Sequence, residues 1–339
     1  MTRPAVAVIA GGRNSEHDVS LASAAGIRRA LAEDHDVLDV RIGRDGSWTI
    51  GGQRRVTVAE AVAELRRTDV AFPALHGVNG EDGAIAGFLE TIGVPYVGSG
   101  VIASALAMDK RATKLVAASV GVRVARDISV DDVRRRRCLP AIVKPVTGGS
   151  SHGVSLVRTH AELGRALAAL GAVTDESGAS SGEGAGGGAS ARAIDGDGLA
   201  GVMIEEVIVG REIDVAVLEE ADGSLSVAPA LEIPRSPGAV FDVEAKYGGD
   251  PGFVVPAQLA PEQLDTVSAA AMAIFRALGC RGLARVDFFL DDRGFVFNEV
   301  NTMPGMTEHS QLPAMVRAAG MTYTDLIRSL VEVARHRRP

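Results

Sequence analysis

The chain has 339 residues, 46% of them hydrophobic and 23% charged, enough to bury a large core and form two or three domains. Its formal net charge of −8 and its 4% aromatic content argue against nucleic acid as a partner and against a base-stacking surface. No apolar run approaches the roughly 20 residues of a membrane helix, so no membrane partner is expected. The two cysteines, Cys138 and Cys280, have no metal or redox spacing and suit a reducing cytoplasm.

The N-terminal AVAVIA reads as a strand broken by a glycine pair, not as a signal peptide. GGRNSEHDVSLASAAGIRRAL reads as a glycine turn feeding a helix, with Ser15 as the expected N-cap and Asp18 three residues on. HDVLDVRIG and VAFPALHG predict strands, GAIAGFLETIG a helix and VPYVGSG a short strand. That alternation predicts a doubly wound parallel sheet. ASALAMDKRATKLVAASVG predicts one helix, PAIVKPV and GVSLVRT two strands around a Gly/Ser loop, and HAELGRALAALGAV a helix. TDESGASSGEGAGGGASARAIDGDG is small, polar and of low complexity. It has too little apolar area to order itself and is expected to be a flexible insertion over 175–198. GVMIEEVIVGREIDVAVLEE and LSVAPALEIP predict strands, EQLDTVSAAAMAIFRALG a helix, and GLARVDFFLDDRGFVFNEVN a hairpin turning at DDRG. The loop TMPGMTEHSQLP and a helix in TYTDLIRSLVEVARHRR follow, and no fixed-period repeat is visible.

Gly149-Ser150-Ser151-His152-Gly153 matches the G-x-S-x-G of a serine-hydrolase nucleophile elbow. That motif needs a strand, a sharp turn and a helix, whereas VSLV after Gly153 has a strand pattern. A strand–loop–strand hairpin with Lys144 at its base fits anion binding better, because loop N–H groups and serine hydroxyls can converge on a phosphate. The plain alternative is an ordinary polar hairpin. The formal G-x-G-x-x-G at 182–187 follows no strand and opens no helix, and no P-loop pattern occurs. In RVDFFLDDRGFVFNEVN, Glu299 and Asn301 share one strand face, and Asp287 and Arg285 share a face of the neighbouring strand. Three oxygen donors there suit Mg²⁺. Their flanks are apolar, so an unpaired cluster would be costly. Glu205, Glu206 and Glu212 surround a short inter-strand linker and could meet an adenine amino group and ribose hydroxyls, a weak signal by itself.

Together these pieces resemble the D-alanine–D-alanine ligase family of the ATP-grasp superfamily. The resemblance runs collinearly from residue 6 to about 333 through GGRNSEHDVSL, LHGVNGEDG, VGSGVIASALAMDK, KPVTGGSSHGVS, IEEVIVGREIDVAVL, FDVEAKY, RVDFFL and NEVNTMPGMTEHS. It implies an α/β ATP-grasp fold of three domains: an N-terminal doubly wound parallel-sheet domain at 1–99, a central domain at 100–205 carrying the insertion, and a C-terminal domain at 206–339. The last two are α+β domains that sandwich ATP. The resemblance also implies two Mg²⁺ ions held by Asp287, Glu299 and Asn301, with Mn²⁺ as a possible substitute. Lys110 and Lys144 would bind the ATP phosphates beneath a loop carrying Ser150 and Ser151. Glu205, Glu206 and Ile208 would meet adenine and Glu212 the ribose, with Lys246, Phe289 and Asn298 also at the nucleotide. Glu16 would bind the ammonium of the first D-alanine, in a hydrogen-bonded set with Ser150 and Tyr247. Arg285 would stabilise charge at the reacting carboxyl, and Ser310 would bind the second carboxylate. Val19, His76, Gly305 and Gln311 complete the implied substrate site. The expected assembly is a cytoplasmic homodimer.

The chemistry implied is ATP-dependent peptide-bond formation through an acyl phosphate, for peptidoglycan synthesis. By the same resemblance, EAKY at 244–247 marks the peptide-forming branch. Two departures stand out: VTGGSSHG, with Thr147, Gly148 and His152, replaces the family's frequent REGSSVG, and Gln311 stands where an apolar residue is usual. The second leaves D-Ser or another amino acid open as second substrate. The readings from other classes are a serine hydrolase using Ser151 and a nucleotide-binding protein without catalysis.

Overall fold

The computed structural model of the chain describes residues 3–129, 132, 135, 139–149, 152–171, 201–234 and 252–336. Cys138, Ser150, Ser151, Lys246, Tyr247 and the 175–198 segment lie outside the described residues. The chain divides into two compact units, one of Met1–Arg123, Gly210–Pro234 and Gly252–Pro339, the other of Val124–Val209 and Arg235–Pro251.

In the first unit, β1 (Ala5–Gly11) runs parallel to β2 (Asp36–Ile42) and β5 (Val70–Pro73) on either side. Its unbroken apolar run reflects burial on both faces: Val6, Val8 and Ala10 enter one core, Ala7 and Ile9 another. Helix α1 (His17–Leu31) supplies Ala24, Ile27 and Leu31 to the former. A short hairpin of β3 (Trp48–Ile50) and β4 (Arg54–Val56) extends the sheet antiparallel, giving the order β4-β3-β2-β1-β5. The parallel sheet expected from sequence is thus its centre. Helices α2 (Val58–Leu65) and α3 (Ala84–Ile92) pack Ala61, Leu65, Ile85 and Leu89 on the other face.

Three local expectations are corrected. Glu16, not Ser15, holds the N-cap position of α1, and no side chain caps that helix. Asn14 orders the turn instead: its Oδ1 accepts from Glu16 N–H at 2.9 Å, and its Nδ2 donates to the His76 and Val78 carbonyls. VPYVGSG is no strand beyond a bridge from Tyr96 to Ala71. The single helix expected after residue 100 is two, α4 (Val101–Met108) and α5 (Lys110–Ser119). Asp109 between them leaves helical conformation and caps α5 by accepting from Ala112 N–H.

In the second unit, β6 (Ala141–Pro145) lies antiparallel between β7 (Ser155–Val157) and β8 (Val202–Glu206). Helix α6 (His160–Ala169), opened by a Thr159–Glu162 capping box, packs Leu163, Ala166 and Leu167 against Val143, Val157 and Ile204. Strand β7, not a helix, follows Gly153, so the nucleophile elbow is not built.

The rest of the first unit is antiparallel: β9 (Arg211–Glu219), β10 (Leu225–Val227), β11 (Leu231–Ile233), β12 (Leu283–Asp291) and β13 (Gly294–Asn301), in the order β10-β9-β12-β13 with β11 also on β9. Helix α7 (Pro261–Leu278) packs on β9 and β10. Helix α8 (Gln311–Ala318) is absent from the sequence reading, where Gln-Leu-Pro looks like a loop; Pro313 sits in its first turn, where a missing N–H costs nothing. Helix α9 (Tyr323–Arg335) returns to the first sheet, and its Leu326, Ile327, Leu330 and Val331 complete the core beside β1. No helix among the described residues is long and apolar enough to cross a membrane.

Candidate active site

Strands β9, β12 and β13 lie side by side, and their period of two brings one row from each to a common face. Asp287 is opposite Glu299 on β13 and Asp214 on β9; Arg285 is opposite Asn301, and Phe289 opposite Glu212. The other face carries Phe288 edge-on to Phe295 and Phe297. Pairing skips Asn298, a bulge that keeps Glu299 over Asp287 while sending Phe297 to the aromatic side. Arg285, Asp287, Glu299 and Asn301 do share a face. Asp214 joins them, although nothing in its local pattern separates it from other charged strand residues.

Arg285 organises this face. Its Nε and Nη2 donate to the two carboxylate oxygens of Asp287, each at 2.7 Å, and its Nη1 donates to Gln311 Oε1 at 2.5 Å. Burial works against the guanidinium charge, but Asp287, Asp214 and Glu299 more than offset it and raise the pKa. Gln311 points inward, not to solvent: its Nε2 donates to Asp214 Oδ2 at 2.8 Å. Asn301 Nδ2 donates to Asp287 Oδ2 at 3.0 Å, which turns its carbonyl oxygen away from Asp287. Lys110 Nζ, at the start of α5, lies 3.7 Å from Glu299 Oε2.

The donor set tests the expected metal. Among the described residues, no group of three or more His, Cys, Asp or Glu side chains could hold an ion by itself. Two carboxylates and an amide oxygen instead suit Mg²⁺, which takes few protein ligands and completes its shell with phosphate oxygens and water. The outward carbonyl of Asn301 and the carboxylate of Glu299 fit that role.

A second cluster holds the loop 302–310. Burial lowers the pKa of His76. Its Nδ1 lies 2.9 Å from the Met303 carbonyl, so Nδ1 carries the hydrogen. Nε2 then accepts from Ser23 Oγ at 3.0 Å, and Ser23 Oγ accepts from Met306 N–H at 3.3 Å. Glu81 accepts from Gly77 N–H at 2.8 Å and Met303 N–H at 3.4 Å. Tyr323 donates to the Met306 carbonyl at 2.7 Å. Pro304 has no N–H and that of Met306 is engaged. Among the described residues, Gly305 N–H is therefore the donor of this tripeptide without a protein acceptor. Ser310 holds the N-cap position of α8 beside it without a side-chain capping bond, its Oγ turned instead to Thr307 Oγ1 at 2.7 Å. The Glu16 carboxylate lies against Gly77, whose φ is 64° and where a Cβ would fall 2.1 Å from Oε2. Val19, on α1, is half-buried.

In the second unit, Lys144 on β6 and Glu205 on β8 form a buried ion pair at 2.5 Å. Glu206 accepts from Arg126 N–H at 3.0 Å, and Ile208 follows in the half-buried link after β8. The residues singled out for a nucleotide therefore divide: Lys144, Glu205, Glu206 and Ile208 on one unit; Lys110, Glu212, Phe289 and Asn298 on the other.

Comparison with known proteins decides the family. The model of the D-ala D-ala ligase N-terminus matches residues 5–61 and 51–99, and that of the D-ala D-ala ligase C-terminus matches 190–332. The D-alanine–D-alanine ligase of Rhodococcus jostii is 36% identical over 381 residues, covering 98% of this chain and 97% of that protein. The chain belongs to the D-alanine–D-alanine ligase family. The Mycolicibacterium smegmatis D-alanine–D-alanine ligase is 38% identical over 382 residues, covering 98% of this chain and 95% of its own. Among solved structures, the VanG D-Ala:D-Ser ligase of Enterococcus faecalis superposes with a TM-score of 0.77 at 28% identity, over 98% of this chain and all of that one. The D-alanine–D-alanine ligase of Coxiella burnetii gives 0.76 at 26% identity, over 99% and 94%. The fold is therefore the α/β ATP-grasp fold of these ligases, and the protein is a ligase.

Proposed function

We propose that the protein joins two D-alanines into D-alanyl-D-alanine while ATP becomes ADP and phosphate, for peptidoglycan synthesis. The observation that carries this reading is the common face of Arg285, Asp287, Glu299 and Asn301 beside the loop of Gly305 and Ser310. A carboxylate is a poor electrophile. Transfer of the γ-phosphoryl group to one of its oxygens expels ADP and leaves an acyl phosphate. The amine of the second D-alanine adds to that carbonyl, a proton is lost, and phosphate departs.

Each group has work suited to its surroundings. Glu16 offers a negative partner to the first ammonium group. The two Arg285 N–H groups not donated to Asp287 or Gln311 are left for charge developing at the carboxyl. Gly305 N–H supplies a second donor to the tetrahedral oxygen. Ser310, at the N-terminus of α8, receives the second carboxylate where helix N–H groups favour an anion. Asp287, Glu299 and Asn301 would hold Mg²⁺, which would supply charge neutralisation at the transferred phosphate; Mn²⁺ would serve in its place. Lys110 and Lys144 serve the phosphates, Glu205, Glu206 and Ile208 the adenine, and Glu212 the ribose, with Phe289 and Asn298 nearby. Ser150, Ser151, Lys246 and Tyr247 keep their family roles in the proposal, as do Val19 and His76, the latter acting through the loop it holds. Three domains divided at 99/100 and 205/206 and a cytoplasmic homodimer belong to the same proposal; the break between β8 and β9 supports the second boundary.

D-Ser as acceptor is the second reading, kept by similarity to a ligase named for D-Ser. An unpaired buried amide at Gln311 would favour a polar acceptor. Both ends of that amide already have protein partners, which favours D-alanine. The test is ATP-dependent phosphate release with D-Ala, D-Ser and D-lactate, with product masses. D-alanyl-D-alanine as main product is expected. Product formed without ATP, or covalent labelling by a fluorophosphonate, overturns the reading, and preference for D-lactate at neutral pH overturns its peptide-forming branch.

A further inference from the structure

The Gln311 amide joins two parts of the site that chemistry must keep in register. It begins α8, directly after Ser310, the residue placed at the acceptor carboxylate. Its side chain crosses to the sheet, where Oε1 accepts from Arg285 Nη1 and Nε2 donates to Asp214 Oδ2. Asp214 is fully buried on β9, directly opposite Asp287, with its Oδ2 also 3.6 Å from Arg285 Nε. A leucine at 311 could fill the volume but could neither accept from a guanidinium nor donate to a carboxylate. Asp287 grips one edge of the guanidinium. Gln311 holds Nη1, and Asp214 fixes which end of the amide faces the arginine.

We propose that Asp214 and Gln311 form a positioning pair that locks the Arg285 guanidinium to the N-terminus of α8, setting the distance between the activated carboxyl and the acceptor. The pair touches neither substrate in this assignment; it acts through Arg285 and Ser310. The inference rests on the ligase reading and adds to it a role for two residues.

The pair can be inverted. In Asp214→Asn/Gln311→Glu the donor moves to β9 and the acceptor to α8, net charge is kept, and residue 311 still accepts from Arg285. The measurement is kcat and KM for ATP and for each D-alanine, in wild type, Gln311→Leu, Gln311→Glu, Asp214→Asn and the double variant. Hydrogen bonds to charged groups imply that each single variant loses about 10–100-fold in kcat, with KM for ATP within about twofold of wild type. The double variant should recover to within about fivefold of wild type, because donor and acceptor are only exchanged. A double variant no better than the worse single, or Gln311→Leu at wild-type kcat, overturns the pair. If Asp214→Asn does not fold, Gln311→Leu decides alone: a fall in kcat at constant KM for ATP supports the pair, and unchanged kcat ends it. Wild type that ligates nothing overturns the ligase reading and this inference with it; wild type that ligates beside unaffected variants overturns the inference only.

Discussion

Glu299 faces Asp287 across the strand pair and Lys110 across 3.7 Å, so the carboxylate proposed for the cation site also neighbours a buried lysine. Glu299→Gln keeps the shape and removes the charge. Ligation at saturating Mg²⁺ should fall about 100-fold or more. Ser151→Ala should lose far less, since loop N–H groups survive. Near-wild-type turnover by Glu299→Gln would sink the metal assignment. Glu81 brings a pH signature. Burial, aided by the Glu16 carboxylate, pushes its pKa from about 4.5 to about 7, against the Gly77 and Met303 N–H groups and Arg285. The folded chain therefore holds this proton more tightly than the unfolded one. The resulting stability is complete below about 4.5 and is lost as pH rises through about 7. Urea unfolding at several pH values between 5 and 8 should show Glu81→Gln losing less stability across that window than wild type; parallel curves would refute it. The residues of β12 and β13 were legible in sequence because alternation alone sorts strand faces. Asp214 was not, because its place depends on β9 pairing with β12 from about seventy residues away, a register no local pattern encodes. The orientation of Gln311 was hidden for the same reason.

At the scale of elements, most strands and helices follow from periodicity, and the misses have local causes. Asp109 interrupts an apolar helical pattern because an aspartate outside the helix caps the next one better than it continues the last. Helix α8 hides behind a proline that its first turn tolerates. The β3–β4 hairpin has three-residue strands, too short for alternation to register. Two elements carry tests. Gly210 precedes β9, and a Cβ there would lie 2.4 Å from the Leu290 carbonyl oxygen. Gly210→Ala must displace strand backbone, so a loss of about 1–3 kcal/mol is expected in urea unfolding; unchanged stability would show that the strands separate freely. Tyr323 opens α9 and ties it to Met306. Tyr323→Phe removes one hydrogen bond worth about 1 kcal/mol and frees the loop that carries Gly305 and Ser310. KM for the second D-alanine should rise while KM for ATP stays unchanged; equal rises in both would mean that Tyr323 supports the fold generally.

At the scale of the whole molecule, chain order and spatial order diverge. The family models span both ends of the chain, and the collinear motifs made that much readable. The grouping of the first 123 residues with the last 88 was not readable, because it depends on packing across the full length. Residues 175–198 are small, polar and of low complexity. Closing a loop costs only about 0.6 kcal/mol more per doubling of its length, so replacing them by a few residues should leave melting temperature and ligation rate nearly unchanged; loss of either would give the segment a role its composition does not suggest. The return of α9 to β1 has a further meaning for synthesis. A ribosome releases β1, β2 and β5 long before Leu326, Ile327, Leu330 and Val331, the side chains that finish their core. Until then Val6, Val8, Val70 and Phe72 lack part of their cover, and the nascent chain must wait with an apolar surface that invites other chains. A fragment ending at residue 123 should therefore aggregate when made alone, and adding the α9 peptide during refolding should keep it in solution. If both outcomes hold, α9 does for the first sheet what a chaperone would do.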